Sequence, residues 1–359
     1  VTSPIITEAV RALVDRRDLS RLEAAAAMEA IMSGAATNAQ IAAFLTALRM
    51  KGETVEELIG FAQVMRQKAV KVRARDAVDL VGQTGTDREM LIDTCGTGGD
   101  ASGTFNVSTA TAFVVAGTGL KVAKHGNRSV SSLCGSADVV ETLGINIELS
   151  PAKVARCVDE VGIGFLYAPL LHTAMKHVMA ARREMGVRTV FNMLGPLTNP
   201  AGANAQVIGV YAAALTEPLA RVLAELGTIR AFVVHGADGL DEISNTGESH
   251  IAEVHEGVVR SSRVRPEDFG MPRATIADLQ GGDRQENADI IRRILGGEAG
   301  PRRDIVLMNA AAALVAGGKA HDLKEGVALG AQSIDSRAAA RKLEALVAFS
   351  RRLSAEAPV

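Results

Sequence analysis

Apolar residues recur at helical spacing through the first 75 positions. Leu22, Ala25, Ala26, Met28 and Ile31, then Ile41, Phe44, Leu45 and Leu48, lie three and four apart, which puts them on one face of a 3.6-residue helix. Ser20-x-x-Glu23 and Thr54-x-x-Glu57 read as capping boxes: the hydroxyl takes the N–H of the third residue on, and the acid answers the cap residue's own N–H. The opening VTSPIITEAVRALVDRRD is an amphipathic helix pattern without the long apolar run of a secretory signal. No strand signal precedes Leu91. The pattern predicts a helical domain over 1–75 and a polar linker over 76–90.

From Leu91 short apolar runs alternate with longer helical patterns. The runs are 91–92, 120–123, 145–149, 163–167, 206–211 and 230–235. Ser150 followed by Pro151 marks a helix start. Such alternation predicts an α/β domain over 91–359 with a central, mostly parallel sheet covered by helices. Polar and apolar residues alternate over 248–265, which suggests a hairpin, and the chain returns to helix over 285–295, 304–316, 323–332 and 335–353.

Composition narrows the classes. Apolar residues make up 47 % of 359 positions, too many for a disordered chain. The formal charge of −2 gives no global attraction to nucleic acid or anionic membrane. Cys95, Cys134 and Cys157 lack CxxC spacing, so they form neither a disulfide framework nor a zinc knuckle; a reducing, cytoplasmic setting is expected. The uncharged stretch 101–120 is interrupted by Ser102, Thr104, Asn106, Ser108, Thr109 and Thr111 and reads as a loop entering a buried helix rather than a membrane span.

Ten of the 35 glycines fall between 82 and 136, and four of them crowd the segment from Gly96 to Gly103. This loop lies between an apolar run and a helical pattern, where bare backbone N–H groups can make a nest for phosphate oxygens. A Walker loop is excluded because no GK[ST] follows. The loose dinucleotide form GxGxxA fits 96–101, but the acid wanted about 20 residues on is missing. Lys121, Lys124 and Arg128 stand there instead, arguing for a more anionic ligand, such as a phosphate plus a pyrophosphate.

A second strand end carries Lys124, His125, Gly126, Asn127 and Arg128, with Ser131, Ser132 and Ser136 as further donors. His125 is as readily structural as catalytic, and no clear general base is assigned. Cys95 and Cys134 read as small buried residues. Asp238-Gly239-Leu240-Asp241-Glu242 follows another strand, and its acid pair is either a Mg²⁺ site or a solvated turn. Arg182, Arg183 and Arg188 are candidates for holding a carboxylate, since a guanidinium fork matches that shape. The turn from Gly195 to Pro200 is stiffened by two prolines, and its role is not legible.

Together these strings resemble one family, the anthranilate phosphoribosyltransferases. They are GTGGD at 96–100, TFNVST at 104–109, KHGNRSVSS at 124–132, GSAD at 135–138, RTVFNMLGPLTNP at 188–200 and DGLDE at 238–242. The lead-in from Gln40 through KGET at 51–54 is similar to that family's N-terminal domain. The resemblance covers nearly the whole chain, thins after about residue 250, and departs at Ala101, where many relatives carry glycine.

The resemblance implies a nucleoside-phosphorylase-like phosphoribosyltransferase fold, with part of 172–200 a candidate to join the helical domain in space. It implies that Gly96, Gly99, Asp100, Thr104, Asn106, Val107, Ser108, Thr109, Lys124, His125, Gly126, Asn127, Arg128, Ser129, Val130, Ser131, Ser132 and Ser136 contact phosphoribosyl pyrophosphate (PRPP). Ser108, Asp241 and Glu242 would hold Mg²⁺, and Gly96, Asn127 and Arg182 would meet anthranilate. It further implies a homodimer through the helical domain, in the cytoplasm, with no nucleic-acid or membrane partner.

The expected reaction is attack of the anthranilate amine on ribose C1 with loss of pyrophosphate. A pyrimidine-nucleoside phosphorylase is the nearest rival. Those enzymes carry Lys-His-Ser before the glycine loop, where this chain has Asp93-Thr94-Cys95, and they lack the Asp-Glu pair. A nucleic-acid-binding relative wants a basic groove, against which a pI near 6.4 counts.

Overall fold

The computed structural model describes residues 2–74, 89–98, 102–129 and 134–356. The linker expected over 76–90 falls almost wholly outside the described residues, as do Gly99, Asp100, Ala101, Val130, Ser131 and Ser132.

Four helices open the chain: α1 (Pro4–Val14), α2 (Arg21–Met32), α3 (Asn38–Lys51) and α4 (Val55–Lys68). The boxes at Ser20/Glu23 and Thr54/Glu57 form as expected. A third closes at Thr37/Gln40, with a Gln in place of the acid. Inside the bundle the rings of Phe44 and Phe61 meet edge to face, 6.0 Å apart. Glu57 is fully buried, yet it accepts from the Leu19 N–H at 2.9 Å and pairs with Lys51 at 3.1 Å, so its charge is compensated rather than stranded. Two later helices, α9 (Lys176–Met185) and α10 (Val190–Leu194), add Val178, Ala181, Val190 and Phe191 to the same core.

The rest of the chain is built on one seven-stranded sheet in the order β3-β2-β1-β4-β5-β6-β7. The strands are β1 (Leu91–Gly96), β2 (Lys121–Gly126), β3 (Ile163–Tyr167), β4 (Ala205–Gly209), β5 (Arg230–Gly236), β6 (Ser249–His255) and β7 (Val258–Val264). The first five are parallel, and β6 and β7 add an antiparallel hairpin at one edge, so the 248–265 expectation holds. Its two-residue turn, Glu256–Gly257, has φ of 50° and 80°, the mirror-image turn that matches strand twist.

Side chains alternate faces along the strands. Val207, Phe232, Val234 and Ile251 belong to the core that also holds α5 (Val107–Gly117) and α13 (Pro301–Ala316). Ile208, Val233, Ala252 and Val254 face α11 (Thr216–Glu225) and share a core with the N-terminal bundle. The uncharged stretch accordingly becomes the buried helix α5, entered by a loop. Three more helices, α12 (Arg284–Leu295), α14 (Leu323–Asp335) and α15 (Ala338–Ala355), close the other side.

One expected strand is absent. Residues 145–149 bury Ile145, Ile147 and Leu149 but join no strand ladder. The Asn146 N–H goes to Ser350 Oγ on α15 at 3.0 Å, so period-two burial here is satisfied against a helix rather than a sheet. From β1 the chain moves outward to β3, then re-enters on the other side of β1 as β4. The topological switch point is therefore between β1 and β4, and ligands of open α/β sheets bind at the carboxyl ends of the strands there.

Candidate active site

Gly96 and Gly209 are register partners at the carboxyl ends of β1 and β4. A Cβ on Gly96 would run into the Asp241 carboxylate, and one on Gly209 into the Asp241 backbone carbonyl. These two glycines let the loop after β5 lie across the switch point. Asp241 Oδ2 accepts the Gly98 N–H at 3.0 Å, which ties the acid pair to the glycine loop, and the following residues are pinned by Asn309, whose Oδ1 takes the Ile243 N–H at 2.9 Å.

Lys124, near the end of β2, is almost wholly buried. Its Nζ donates to the Thr94 carbonyl at 2.6 Å and to Ser108 Oγ at 3.3 Å. Burial lowers its pKa, and the charges of Asp93, Cys95, Glu242 and Asp241 act in the opposite direction. The Lys124 amine thus lies beside the first turn of α5, within the field of the acid pair. Asp93 is fully buried; burial raises its pKa against the pull of Lys124, Asn199 and the His125 N–H.

His125 and His172 are both more than nine-tenths buried, with ring centroids 5.1 Å apart. Among the described residues neither Nε2 has a hydrogen-bond partner. Burial pushes the His125 pKa down to about 3 and that of His172 to about 4, and the two rings' proximity adds to the shift at His125. Both are neutral near pH 7, so neither is an acid. The backbone of Gly195 lies against His125, bringing the 195–200 turn to this wall.

Arg182 on α9 sits over the Phe191 ring at 5.4 Å. It is partly buried, burial alone lowers its pKa, and no acid or acceptor among the described residues pairs with it. Arg188 is exposed and stacks on Tyr211 at 4.6 Å, and Arg183 is exposed. Of the three candidates, Arg182 is the guanidinium best prepared for a carboxylate.

The structure sorts the other candidates. Thr104 bridges to Gln280, and Asn106 contacts Cys134 and Asn287. Val107 opens α5, and Thr109 is buried within its first turn. Gly126, Asn127, Ser129 and Ser136 cluster where Asn127 and Ser136 exchange hydrogen bonds and the Ser129 N–H reaches Asp138. Arg128 is held by Asp138 at 2.8 Å and Glu141 at 2.9 Å. Lys121, expected with the cationic element, is at the opposite end of β2, paired with Glu89 at 3.0 Å and Asp159 at 3.8 Å. Nearly the whole length of the strand separates it from the tip, which the sequence spacing concealed.

None of the three cysteines forms a disulfide. Burial raises the pKa of each, with Asp93 adding to the shift at Cys95, so they are thiols rather than nucleophiles. Asp93, His172, Asn199 and Gly209 were not singled out from sequence. Gly209 fell inside the apolar run 206–211, and Asp93 and Asn199 lay within quoted strings that gave them no role of their own; His172 carried no signal.

Asp241 and Glu242 are partly exposed hard oxygen donors whose field reaches the buried Lys124. No group of three His, Cys, Asp or Glu among the described residues could hold a metal. Two carboxylates with the remaining positions left to phosphate oxygens and water is the manner in which Mg²⁺ is bound at phosphate sites, so the donor set fits that ion.

Comparison with known proteins gives the same direction. The model of the glycosyl transferase family helical bundle domain matches residues 7–69, and that of its a/b domain matches 88–340. An anthranilate phosphoribosyltransferase from Geobacter sp. strain M21 is 55 % identical over 354 residues, covering 96 % of this chain and 99 % of its own. The crystal structure of the Thermus thermophilus enzyme superposes with a TM-score of 0.88 at 43 % identity, covering 96 % of this chain and 99 % of that one. The Saccharomyces cerevisiae enzyme in complex with PRPP and Mg gives 0.84 at 28 % identity, covering 97 % and 98 %. With its switch-point site, its two domain matches and these full-length relatives, the chain belongs to the anthranilate phosphoribosyltransferase family of glycosyltransferases.

Proposed function

We propose that the protein transfers the 5-phosphoribosyl group of PRPP to the amine of anthranilate, giving N-(5-phosphoribosyl)anthranilate and pyrophosphate, the second step of tryptophan biosynthesis from chorismate. The observation that carries this reading is the convergence of Lys124, Ser108 and the Asp241–Glu242 loop at one switch point. Arg182, which pairs with no acid among the described residues, supplies the charge for the anthranilate carboxylate.

Lys124 and the α5 hydroxyls hold the phosphate oxygens. Asp241, Glu242 and Ser108 would hold Mg²⁺, which when bound neutralises charge on the departing pyrophosphate. The ribose C1 passes through an oxocarbenium-like state, by analogy with other displacements at an anomeric carbon. The attacking amine carries its lone pair at neutral pH, so the residues orient rather than deprotonate it. The neutral His125–His172 wall suits that role, because two uncharged imidazoles neither repel the developing cation nor acidify the amine. Catalysis is then alignment and charge stabilisation.

The helical domain is proposed as 1–75 with part of 172–200, supported by the shared core of α9 and α10. A homodimer through that domain is supported by exposed Val14, Leu22 and Met50. No helix among the described residues is long and apolar enough to cross a membrane, and three cysteines outside any disulfide suit a reducing cytoplasm. The test is loss of anthranilate fluorescence on adding PRPP and Mg²⁺ to the purified protein. Unchanged fluorescence overturns the reading.

A further inference from the structure

We infer that Asp93 and Asn199 are a positioning pair for the phosphoribosyl transfer, holding the tip of β2 and the 195–200 turn against β1. The inference rests on the reaction proposed above, and it begins from an irregularity in the sheet. β2 pairs with β3 over five residues, and β1 with β4 over five. The β1–β2 register covers only Leu91 with Lys121 and Ile92 with Val122. Beyond that point, where Lys124, His125 and Gly126 approach the site, side chains replace the backbone ladder.

Asp93 makes most of the replacement. Its Oδ1 accepts the His125 N–H at 3.0 Å. Its Oδ2 accepts Asn199 Nδ2 at 2.8 Å and the Cys95 thiol at 3.6 Å. Asn199 Nδ2 also donates to the Ala123 carbonyl at 2.9 Å, and its Oδ1 takes the Ala201 N–H at 2.9 Å. Each of the two residues therefore touches β2 directly, and they touch each other. Both are buried. This gives the 195–200 turn a role that its two prolines alone did not reveal: it presents Asn199 to two strands at once.

The carboxylate faces three donors, which suits an acceptor-only group. Asparagine at 93 keeps the size but turns one acceptor into an NH₂ facing a donor. Either the β2 tip or the 195–200 turn is then released. The substrate-binding groups remain, so binding survives while alignment is lost, and a shift near 1 Å is worth about a hundredfold in rate.

The test compares Asp93→Asn, Asn199→Ala and, as a control of similar burial outside the site, Ser333→Ala, which loses a 2.8 Å bond to the Val114 carbonyl. Turnover is measured by anthranilate fluorescence, and PRPP–Mg²⁺ stoichiometry by calorimetry at about 25 °C on protein shown folded by circular dichroism. Expected for the first two is a kcat loss of about 30-fold or more, with KM values within about fivefold and full binding stoichiometry. The control is expected within about twofold of wild type. Should Asp93→Asn not fold, Asn199→Ala carries the test alone. A folded variant with kcat within about threefold of wild type overturns the inference, as does a loss matched by falling stoichiometry or by Ser333→Ala. A wild-type protein that binds PRPP but consumes no anthranilate overturns the reaction itself, and the inference with it.

Discussion

Replacing Gly209 by alanine puts a methyl group where the backbone carbonyl of Asp241 now lies. The obstacle is backbone rather than the end of a flexible side chain, and Gly209 sits between β1 and β5 in the sheet, so the loop must yield. Restoring an ordinary carbon–oxygen contact near about 3.5 Å requires it to retreat by roughly 2 Å. Asp241 then leaves the Gly98 N–H that it accepts at 3.0 Å, and the acid pair moves away from Lys124. A misplacement of that size costs about a hundredfold in kcat/KM, with overpacking costing about 1–3 kcal/mol of stability. The assay is anthranilate fluorescence loss across a Mg²⁺ titration, with a thermal melt to confirm folding. A folded Gly209→Ala protein within about threefold of wild-type kcat/KM, at unchanged Mg²⁺ half-saturation, refutes the claim that this glycine places the acid pair.

Three further outcomes are expected. Asp241→Asn combined with Glu242→Gln raises the Mg²⁺ concentration for half-maximal rate at least about tenfold, because two charged oxygens are lost; an unmoved Mg²⁺ titration curve removes the pair from the metal site. Arg182→Ala raises the anthranilate KM by about 10- to 100-fold, the worth of a charge-assisted hydrogen bond, and leaves the PRPP KM within about twofold; equal effects on both substrates exclude it as the carboxylate partner. His125 and His172 have folded-state pKa values lowered to about 3 and about 4, below the roughly 6.5 of an unfolded histidine. The unfolded chain takes up their protons first, so their contribution to stability is full above about pH 6.5 and declines on acidification by up to about 1.4 kcal/mol per pH unit for each ring. Urea midpoints at pH 7.5 and 5.0 should differ less in His172→Gln than in wild type, and an equal difference shows the ring is not buried neutral.

Local chemistry carries the features that were legible in the sequence. Capping boxes at Ser20 and Thr54, the helical periods, the strand–loop–helix alternation and the strings from Gly96 to Glu242 are short-range patterns, because a cap or a phosphate nest is built from residues within a few positions of each other. They were enough for the fold class and the family. What they left open involves partners far apart in the chain. The run 145–149 has strand-like burial, and only the approach of Ser350 decides that its backbone pairs with a helix. Lys121 and Lys124 look alike in sequence, yet the parallel direction of β2 sends one to Glu89 and the other to Ser108. Gly209 matters because Asp241 crosses it, His172 because it meets His125, and Asn199 because it reaches Asp93 across 106 positions. The sequence alone determined which residue types could bind phosphate, metal and carboxylate. Only the tertiary structure decided which of them share a strand end, because that depends on the strand order on either side of β1 and on close backbone approaches that no local pattern encodes.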